Sequence, residues 1–122
     1  MSEPRQKDPE EKPNMERTSQ NSARATKHYP TSTADLAKAL KAVAAKRPKW
    51  EAKDERDGEF RLVRTTRILR FKDDVTASVS PEGEDGSKLV AESASRVGKS
   101  DFGQNPRNLK ELFSAVYREL SL

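Results

Sequence analysis

The sequence contains no cysteine, which excludes disulfide bridges, a thiolate nucleophile and sulfur-ligated metal sites. It contains a single histidine, His28, so a histidine cluster is excluded and one imidazole at most is available as a base. The longest apolar run, residues 42–45, is far shorter than the roughly 20 residues that cross a bilayer. We therefore expect no metal site, no cofactor and no membrane partner.

Hydrophobic residues are also scarce, at 32% of 122 residues, so the chain can form one small domain and little else. The first eight residues lack the apolar core of a secretory signal, and we expect a cytoplasmic protein. The net charge is +4, from 24 Lys and Arg against 20 Asp and Glu. The two signs are interleaved along the whole chain, whereas a nucleic-acid surface is usually more one-sided.

Residues 1–31 are expected to be a disordered hydrophilic tail. This segment holds four of the seven prolines, and its only large apolar side chains are Met1, Met15 and Tyr29. Such a composition buries too little surface to offset the entropy lost on ordering. The domain is therefore predicted to comprise residues 32–122.

Two helices are predicted within residues 32–122. The first runs from Thr33 to Arg47, with Ser32 as its N-cap and Pro48 after its end. The second begins at Pro106, with Asn105 as its N-cap. Its apolar face consists of Leu109, Leu112, Phe113, Val116 and Leu120.

Four strands are predicted between the helices. The first begins at Trp50, and Asp57-Gly58 forms a tight turn to the second, which runs to Phe71 with a bulge near residues 64–67. The third covers residues 75–80, and the fourth returns through residues 89–93 after a turn at 81–86. The expected fold is α+β: a four-stranded, mainly antiparallel sheet, order α-β-β-β-β-α, with an N-terminal and a C-terminal helix packed on it.

Two motifs flank the last predicted hairpin. They are Phe71-Lys72-Asp73-Asp74-Val75 and the run from Ser93 to Asn105, which reads SASRVGKSDFGQN. Over residues 30–120 the chain resembles the family called domain of unknown function 1499, in which similar runs precede a strand and the final helix. The resemblance implies a family and no particular chemistry.

The expected hairpin register brings Arg96 close to the acidic pair. If Val79 lies opposite Leu89, the segment from Lys72 to Asp74 lies opposite residues 94–96. Arg96 can then donate two hydrogen bonds to Asp73 or Asp74, which would make these three residues a structural clamp.

Beyond the clamp, the loop from Arg96 to Asn105 is the predicted binding site. Arg96, Lys99, Ser100, Asp101 and Asn105 are the candidate ligand-binding residues, because the loop amides, the Lys99 cation and the Ser100 hydroxyl suit an anionic group. The leading hypothesis is a non-enzymatic module, with no catalytic residue, that binds an anionic small molecule or a protein partner.

Two alternatives stay open. In the first, Asp73, Asp74 and Asp101 are the carboxylates of a small hydrolase or lyase, since two close carboxylates can separate their proton affinities. In the second, the chain binds nucleic acid weakly through Arg61, Arg64, Arg67 and Arg70. A spacing of three residues distributes those arginines over both faces of a strand, and nucleic acid is an unlikely partner for that reason.

Overall fold

Six strands and two helices make up the described part of the chain. The computed structural model describes residues 12–66, 70–96 and 103–120. The elements are β1 (Asn14–Ser19), β2 (Ser22–Tyr29), α1 (Thr33–Lys46), β3 (Trp50–Arg56), β4 (Glu59–Thr65), β5 (Lys72–Glu82), β6 (Gly86–Ser95) and α2 (Gln104–Leu120).

All six strands belong to one antiparallel sheet, with the spatial order β1-β2-β6-β5-β4-β3. The prediction of a four-stranded sheet is therefore wrong, although the fold is α+β as expected. The observed order of elements is β-β-α-β-β-β-β-α.

The two additional strands come from the segment expected to be disordered, so that expectation is wrong for Asn14–Tyr29. Strand β2 pairs with β6 from Ser22 opposite Ala94 to Tyr29 opposite Ser87. Its alternate residues Ala23, Ala25 and Tyr29 are buried in the core. Two of these three residues are alanines, which are only weakly hydrophobic. The alternation of buried and exposed residues in β2 is therefore too weak to predict a strand. Residues 1–11 of the expected tail lie outside the described residues.

The helix ends differ slightly from the predicted ones. The Ser32 hydroxyl accepts a hydrogen bond from the Asp35 N–H at 3.0 Å, as expected of an N-cap. Helix α1 ends at Lys46, because Arg47 is extended at the C-cap position. Helix α2 starts at Gln104, so Asn105 lies inside the helix and is not its N-cap.

The Asp57-Gly58 turn between β3 and β4 is confirmed. Both residues have positive φ, 51° and 82°, which suits the twist of a two-residue hairpin. Strand β4 ends at Thr65, earlier than predicted, and the irregularity in pairing lies in β3 between Ala52 and Asp54. The expected bulge at residues 64–67 is therefore wrong for the described residues 64–66. Residues 67–69 lie outside the described residues.

Both helices pack on one face of the sheet, here called the inner face, and enclose a single core. The core contains four of the five predicted apolar residues of α2, and the fifth, Leu120, is partly buried against it. The other large core side chains include Leu36, Leu40, Val43, Trp50, Phe60, Leu62, Val75 and Leu89. The opposite, outer face carries polar and charged side chains, and no helix of the described part covers it. Neither described helix is long and apolar enough to cross a membrane.

Candidate functional site

Strands β5 and β6 bring the two sequence motifs together at one end of the sheet. Val79 lies opposite Leu89 and Val75 opposite Ser93, which confirms the predicted register. At the end of the ladder, Asp73 lies opposite Ser95 and Asp74 opposite Ala94. Successive side chains of a strand point to opposite faces, so Asp73 faces the helices and Asp74 faces away from them.

On the inner face, Asp73 belongs to a buried polar network beneath the start of α2. The Asn108 amide donates to the Asp73 carboxylate at 2.7 Å and to the Ser93 hydroxyl at 3.1 Å. The Ser93 hydroxyl in turn donates to the side-chain oxygen Oδ1 of Asn105 at 2.6 Å. All four residues are buried. Such groups are stable away from water only when their hydrogen bonds are satisfied, so the network fixes α2 on the sheet.

Asn105 extends this network to the neighbouring strands. Its amide group donates to the backbone carbonyl of Asn21 at 2.7 Å and to the Ser95 hydroxyl at 2.8 Å. Its side chain is fully buried and both of its amide hydrogens are used in these two bonds. Asn105 therefore holds the helix, and the geometry gives no support to the prediction that it contacts a ligand.

On the outer face, Arg96 binds Asp74. The Arg96 Nε lies 3.0 Å from Asp74 Oδ2, and Nη2 lies 2.8 Å from Oδ1, which is a bidentate arrangement. The Arg96 hydrogen bond, with its positive charge and that of Arg61, lowers the pKa of Asp74 against a smaller opposing effect of burial. Both side chains are half exposed, at 44% and 54%. The sequence pointed to this contact but not to its exposure to solvent.

Asp73 does not take part in the contact with Arg96. Two of the three carboxylates of the hydrolase hypothesis, Asp73 and Asp74, thus lie on opposite faces of the sheet, and the third, Asp101, lies outside the described residues. Asp74 is held in the ionised form, which is unsuitable for a general acid near neutral pH.

Beside the Arg96–Asp74 pair, the outer face has a depression of about 480 Å³. Its walls include the charged side chains Lys53, Glu59, Arg61, Asp74 and Arg96. The other lining residues are Leu62, Val63, Val75 and Thr76. We call this feature the outer-face depression. Its charge is slightly positive, with three cations and two carboxylates.

Arg61 is the available cation of the outer-face depression. The Lys53 Nζ lies 3.3 Å from the Glu51 Oε2, and the Arg96 guanidinium is bound by the Asp74 carboxylate. In the part of the chain that the structure describes, the Arg61 guanidinium has neither an ion pair nor a side-chain hydrogen bond. Within the described residues, none of its five N–H donors is therefore used in a side-chain hydrogen bond.

Three of the predicted ligand-binding residues, Lys99, Ser100 and Asp101, lie outside the described residues. The described part of the predicted loop is Arg96 at its start and Gly103–Asn105 at its end. His28 lies on the outer face of β2, where its Nδ1 contacts the Glu82 carboxylate.

A second ion pair joins α2 to β4 and was missed from the sequence. The Arg64 side chain, 8% exposed, donates to Glu111 through Nε at 3.3 Å and Nη2 at 2.9 Å. The Trp50 indole donates to the same carboxylate at 2.5 Å. Burial raises the pKa of Glu111, but the bonds from Arg64 and Trp50 outweigh it, and the net pKa is lowered. The signal in the sequence was the position of Arg64 two residues after Leu62, on the same face of the strand.

Comparisons with known proteins give a family and no activity. A family model described as a protein of unknown function, DUF1499, matches residues 5–116. No curated protein sequence matches the chain.

Three solved structures are weakly similar to the chain. A Thermus thermophilus protein is 14% identical, with a TM-score of 0.45, over 81% of this chain and 96% of its own. A conserved Geobacillus kaustophilus protein is 8% identical, with a TM-score of 0.48, over 82% and 95%. The Zhui aromatase/cyclase of Streptomyces sp. R1128 is 13% identical, with a TM-score of 0.35, over 88% and 87%. None of these three TM-scores reaches 0.5, and nothing about the function of this chain follows from these similarities.

Proposed function

The chain belongs to the DUF1499 family of proteins of unknown function, whose name specifies no chemistry, and we propose that it is a non-enzymatic module that binds an anionic group. The group belongs to a small molecule or to a protein partner, and it occupies the outer-face depression with Arg61 as its main contact.

The observation that supports this proposal is the Arg61 guanidinium inside the depression, which forms no ion pair with any of the described residues. A guanidinium presents a planar fork of donors that fits a carboxylate or a phosphate with two hydrogen bonds. The volume of about 480 Å³ lies within the range of small-molecule sites. The depression therefore has room for a small-molecule anion beside Arg61.

Arg96 has a supporting role in this proposal. Its bond to Asp74 compensates the charge of a carboxylate whose pKa Arg61 also lowers, and which would otherwise repel an anion or bind Arg61 itself. In this view, the Arg96–Asp74 bond keeps the Asp74 carboxylate from binding Arg61, so that the Arg61 guanidinium is available to a ligand. Lys99, Ser100 and Asp101 remain proposed contacts on the strength of the sequence alone.

Catalysis has less support. Asp73 is buried and bonded to Asn108, whereas Asp74 is occupied by Arg96 on the other face. Turnover of any substrate that is lost in Asp73→Asn or Asp74→Asn but retained in Arg61→Gln would overturn the binding proposal.

The test is an NMR titration of the full chain with inorganic phosphate and with citrate as anionic probes. We expect saturable shifts of backbone amides in β4 and β5 around Arg61. Arg61→Gln should weaken binding roughly tenfold, since it removes a charge-assisted pair of hydrogen bonds. Arg118→Gln, an exposed arginine of α2, has the same loss of charge and is the control.

Equal weakening in Arg61→Gln and Arg118→Gln would show that the probes respond only to net charge. In that event the depression is not the site. Native mass spectrometry of the purified chain complements the titration, because a retained anionic compound would identify the ligand.

A further inference from the structure

The outer-face depression contains a carboxylate, as well as a cation, that no described residue binds. The cation is Arg61, and the carboxylate is that of Glu59, which lies two residues earlier in β4. In the part of the chain that the structure describes, the Glu59 side chain forms neither an ion pair nor a hydrogen bond. One group of each charge sign in the depression is therefore without a close counter-charge.

The fold places these two groups next to each other on the same face of the sheet. Glu59 and Arg61 both line the depression, whereas Phe60 between them is buried in the core. Residues two apart in a strand have Cα atoms about 6.7 Å apart and side chains on one face. Strand β4 is paired on both sides, with β3 and with β5, so the sheet fixes the backbone that carries both groups.

Two charged side chains of β3 lie across from these groups in the ladder. Arg56 is paired with Glu59, and Asp54 with Arg61. Neither pair forms an ion pair within the described residues, and neither β3 side chain lines the depression. The Asp54 carboxylate instead accepts a hydrogen bond from the backbone N–H of Glu55 at 2.8 Å. Strand β3 thus leaves both groups of the depression without a bound counter-charge.

We propose that the outer-face depression binds a small zwitterion of the α-amino acid type, with the ligand carboxylate on Arg61 and its ammonium group on Glu59. This inference rests on the proposed function, because it adds a second contact to the anion site at Arg61. A guanidinium donates two hydrogen bonds to a carboxylate, and a carboxylate accepts hydrogen bonds from an ammonium group. In an α-amino acid a single carbon separates the two charged groups, which suits side chains at neighbouring positions of one face.

A ligand with charges of both signs suits this site better than a purely anionic one. The charge of Asp74, the other carboxylate of the depression, is compensated by Arg96. Glu59 has no such compensation and would repel an anion bound at Arg61, because like charges that lie close together weaken binding. Glu59 is therefore the residue that selects a zwitterion, and phosphate and citrate are weaker probes of the same site.

The experiment is an NMR titration of the full chain with three related probes. They are alanine, N-acetylalanine, which lacks the positive charge, and alanine amide, which lacks the negative charge. We expect saturable shifts of backbone amides in β4 and β5, with a Kd for alanine roughly fivefold lower than for N-acetylalanine, the gain that an exposed ion pair can provide. Alanine amide should bind most weakly, because it lacks the carboxylate that forms two hydrogen bonds with Arg61.

Glu59→Gln should change the binding of two probes in opposite directions. Alanine should bind roughly fivefold more weakly, because the contact with its ammonium group is lost. N-acetylalanine should bind at least as tightly as before, because a repulsion is removed. Arg61→Gln should weaken both probes. Glu84→Gln removes the same charge from the exposed β5–β6 turn and should change either Kd by less than about twofold.

The outcomes distinguish this inference from the proposed function, and the amide spectrum of each free variant checks that the fold is kept. Binding of phosphate and N-acetylalanine around Arg61, with no gain for alanine, would overturn the zwitterion site and retain the anion site. Equal effects of Glu59→Gln and Glu84→Gln would do the same. Absence of shifts around Arg61 with every probe would overturn both proposals. Alanine amide that binds as tightly as alanine would also overturn both, because Arg61 would then make no contact.

Discussion

Asp73 and Asp74 are adjacent in strand β5, yet their carboxylates lie on opposite faces of the sheet and have different environments. Asp73 accepts a hydrogen bond from Asn108 inside the protein, and Asp74 accepts two from Arg96 at the surface. The acidic pair of the sequence motif is therefore two separate structural elements. One secures α2, and the other sets the charge of the outer-face depression.

Asn108→Asp should destabilise the protein in a pH-dependent way. The new carboxylate would replace a donor that lies 2.7 Å from Asp73, so one of the two buried groups must take up a proton on folding. A folded-state pKa above the unfolded value gives stability that is present in acid and lost as pH rises. We expect a loss of about 3–5 kcal/mol at pH 7 and a smaller loss near pH 4, measured by urea denaturation.

Asn14→Asp is the control for that variant, because Asn14 is exposed in β1. It should change the free energy of unfolding by less than about 0.5 kcal/mol. An equal loss for Asn108→Asp at both pH values would show that Asp73 and position 108 are not coupled.

Glu111→Gln should cost about 1–3 kcal/mol near neutral pH, because it leaves the buried Arg64 without its carboxylate. The folded-state pKa of Glu111 is lowered from about 4.5, so its contribution is present above that value and is lost as the pH falls through the folded-state pKa. The difference between the variant and the unaltered chain should therefore shrink in acid. Glu84→Gln, in the exposed β5–β6 turn, is the matched change and should leave the stability nearly constant.

Asp74→Asn should have a small effect on stability, within about 1 kcal/mol, since exposed ion pairs contribute little. A double-mutant cycle of Asp74→Asn with Arg96→Gln should give weaker coupling than a cycle of Glu111→Gln with Arg64→Gln. If the Asp74–Arg96 cycle gave a coupling energy as large as the Glu111–Arg64 cycle, the Asp74–Arg96 pair would be shielded from solvent and important for the stability of the fold.

Deletion of residues 1–28 should abolish cooperative unfolding, because it removes β1 and nearly all of β2. A disordered tail would have made the same deletion harmless. Ala25→Glu tests the point by a single change and should cost more than about 3 kcal/mol, since it buries a charge. Ala34→Glu, at an exposed position in the first turn of α1, should be nearly neutral. Retention of the unfolding midpoint in Ala25→Glu would contradict the position of β2.

The parts of the fold that could be predicted are those in which periodicity is strong and local. Valines and alanines alternate with polar residues in β5 and β6, and a hairpin turn joins these strands, so their register followed from the sequence. Strand β2 differs because its buried face is mainly alanine, and its partner β6 is distant in the chain. No local pattern reports such a pairing.

For the site, the sequence indicated which residues meet but not what surrounds them. Register alone placed Arg96 near Asp73 or Asp74, and Asp74 is the partner in the structure. Whether that pair is buried depends on which face of the sheet the helices cover, and that is decided by the whole core. Asn105 was predicted as a cap because it precedes a proline, whereas its side chain is used in a network that involves three separate elements.

The pairing of β2 with β6 also bears on how the chain folds during its synthesis. Residues 22–29 leave the ribosome before their partners, residues 87–94, have been made. Until then one edge of β2 is open, and its core side chains lack the helix α2 that covers them. The β2–β6 pairing therefore cannot form before residues 87–94 have been made, and a chaperone bound to the nascent chain would protect the open edge until then.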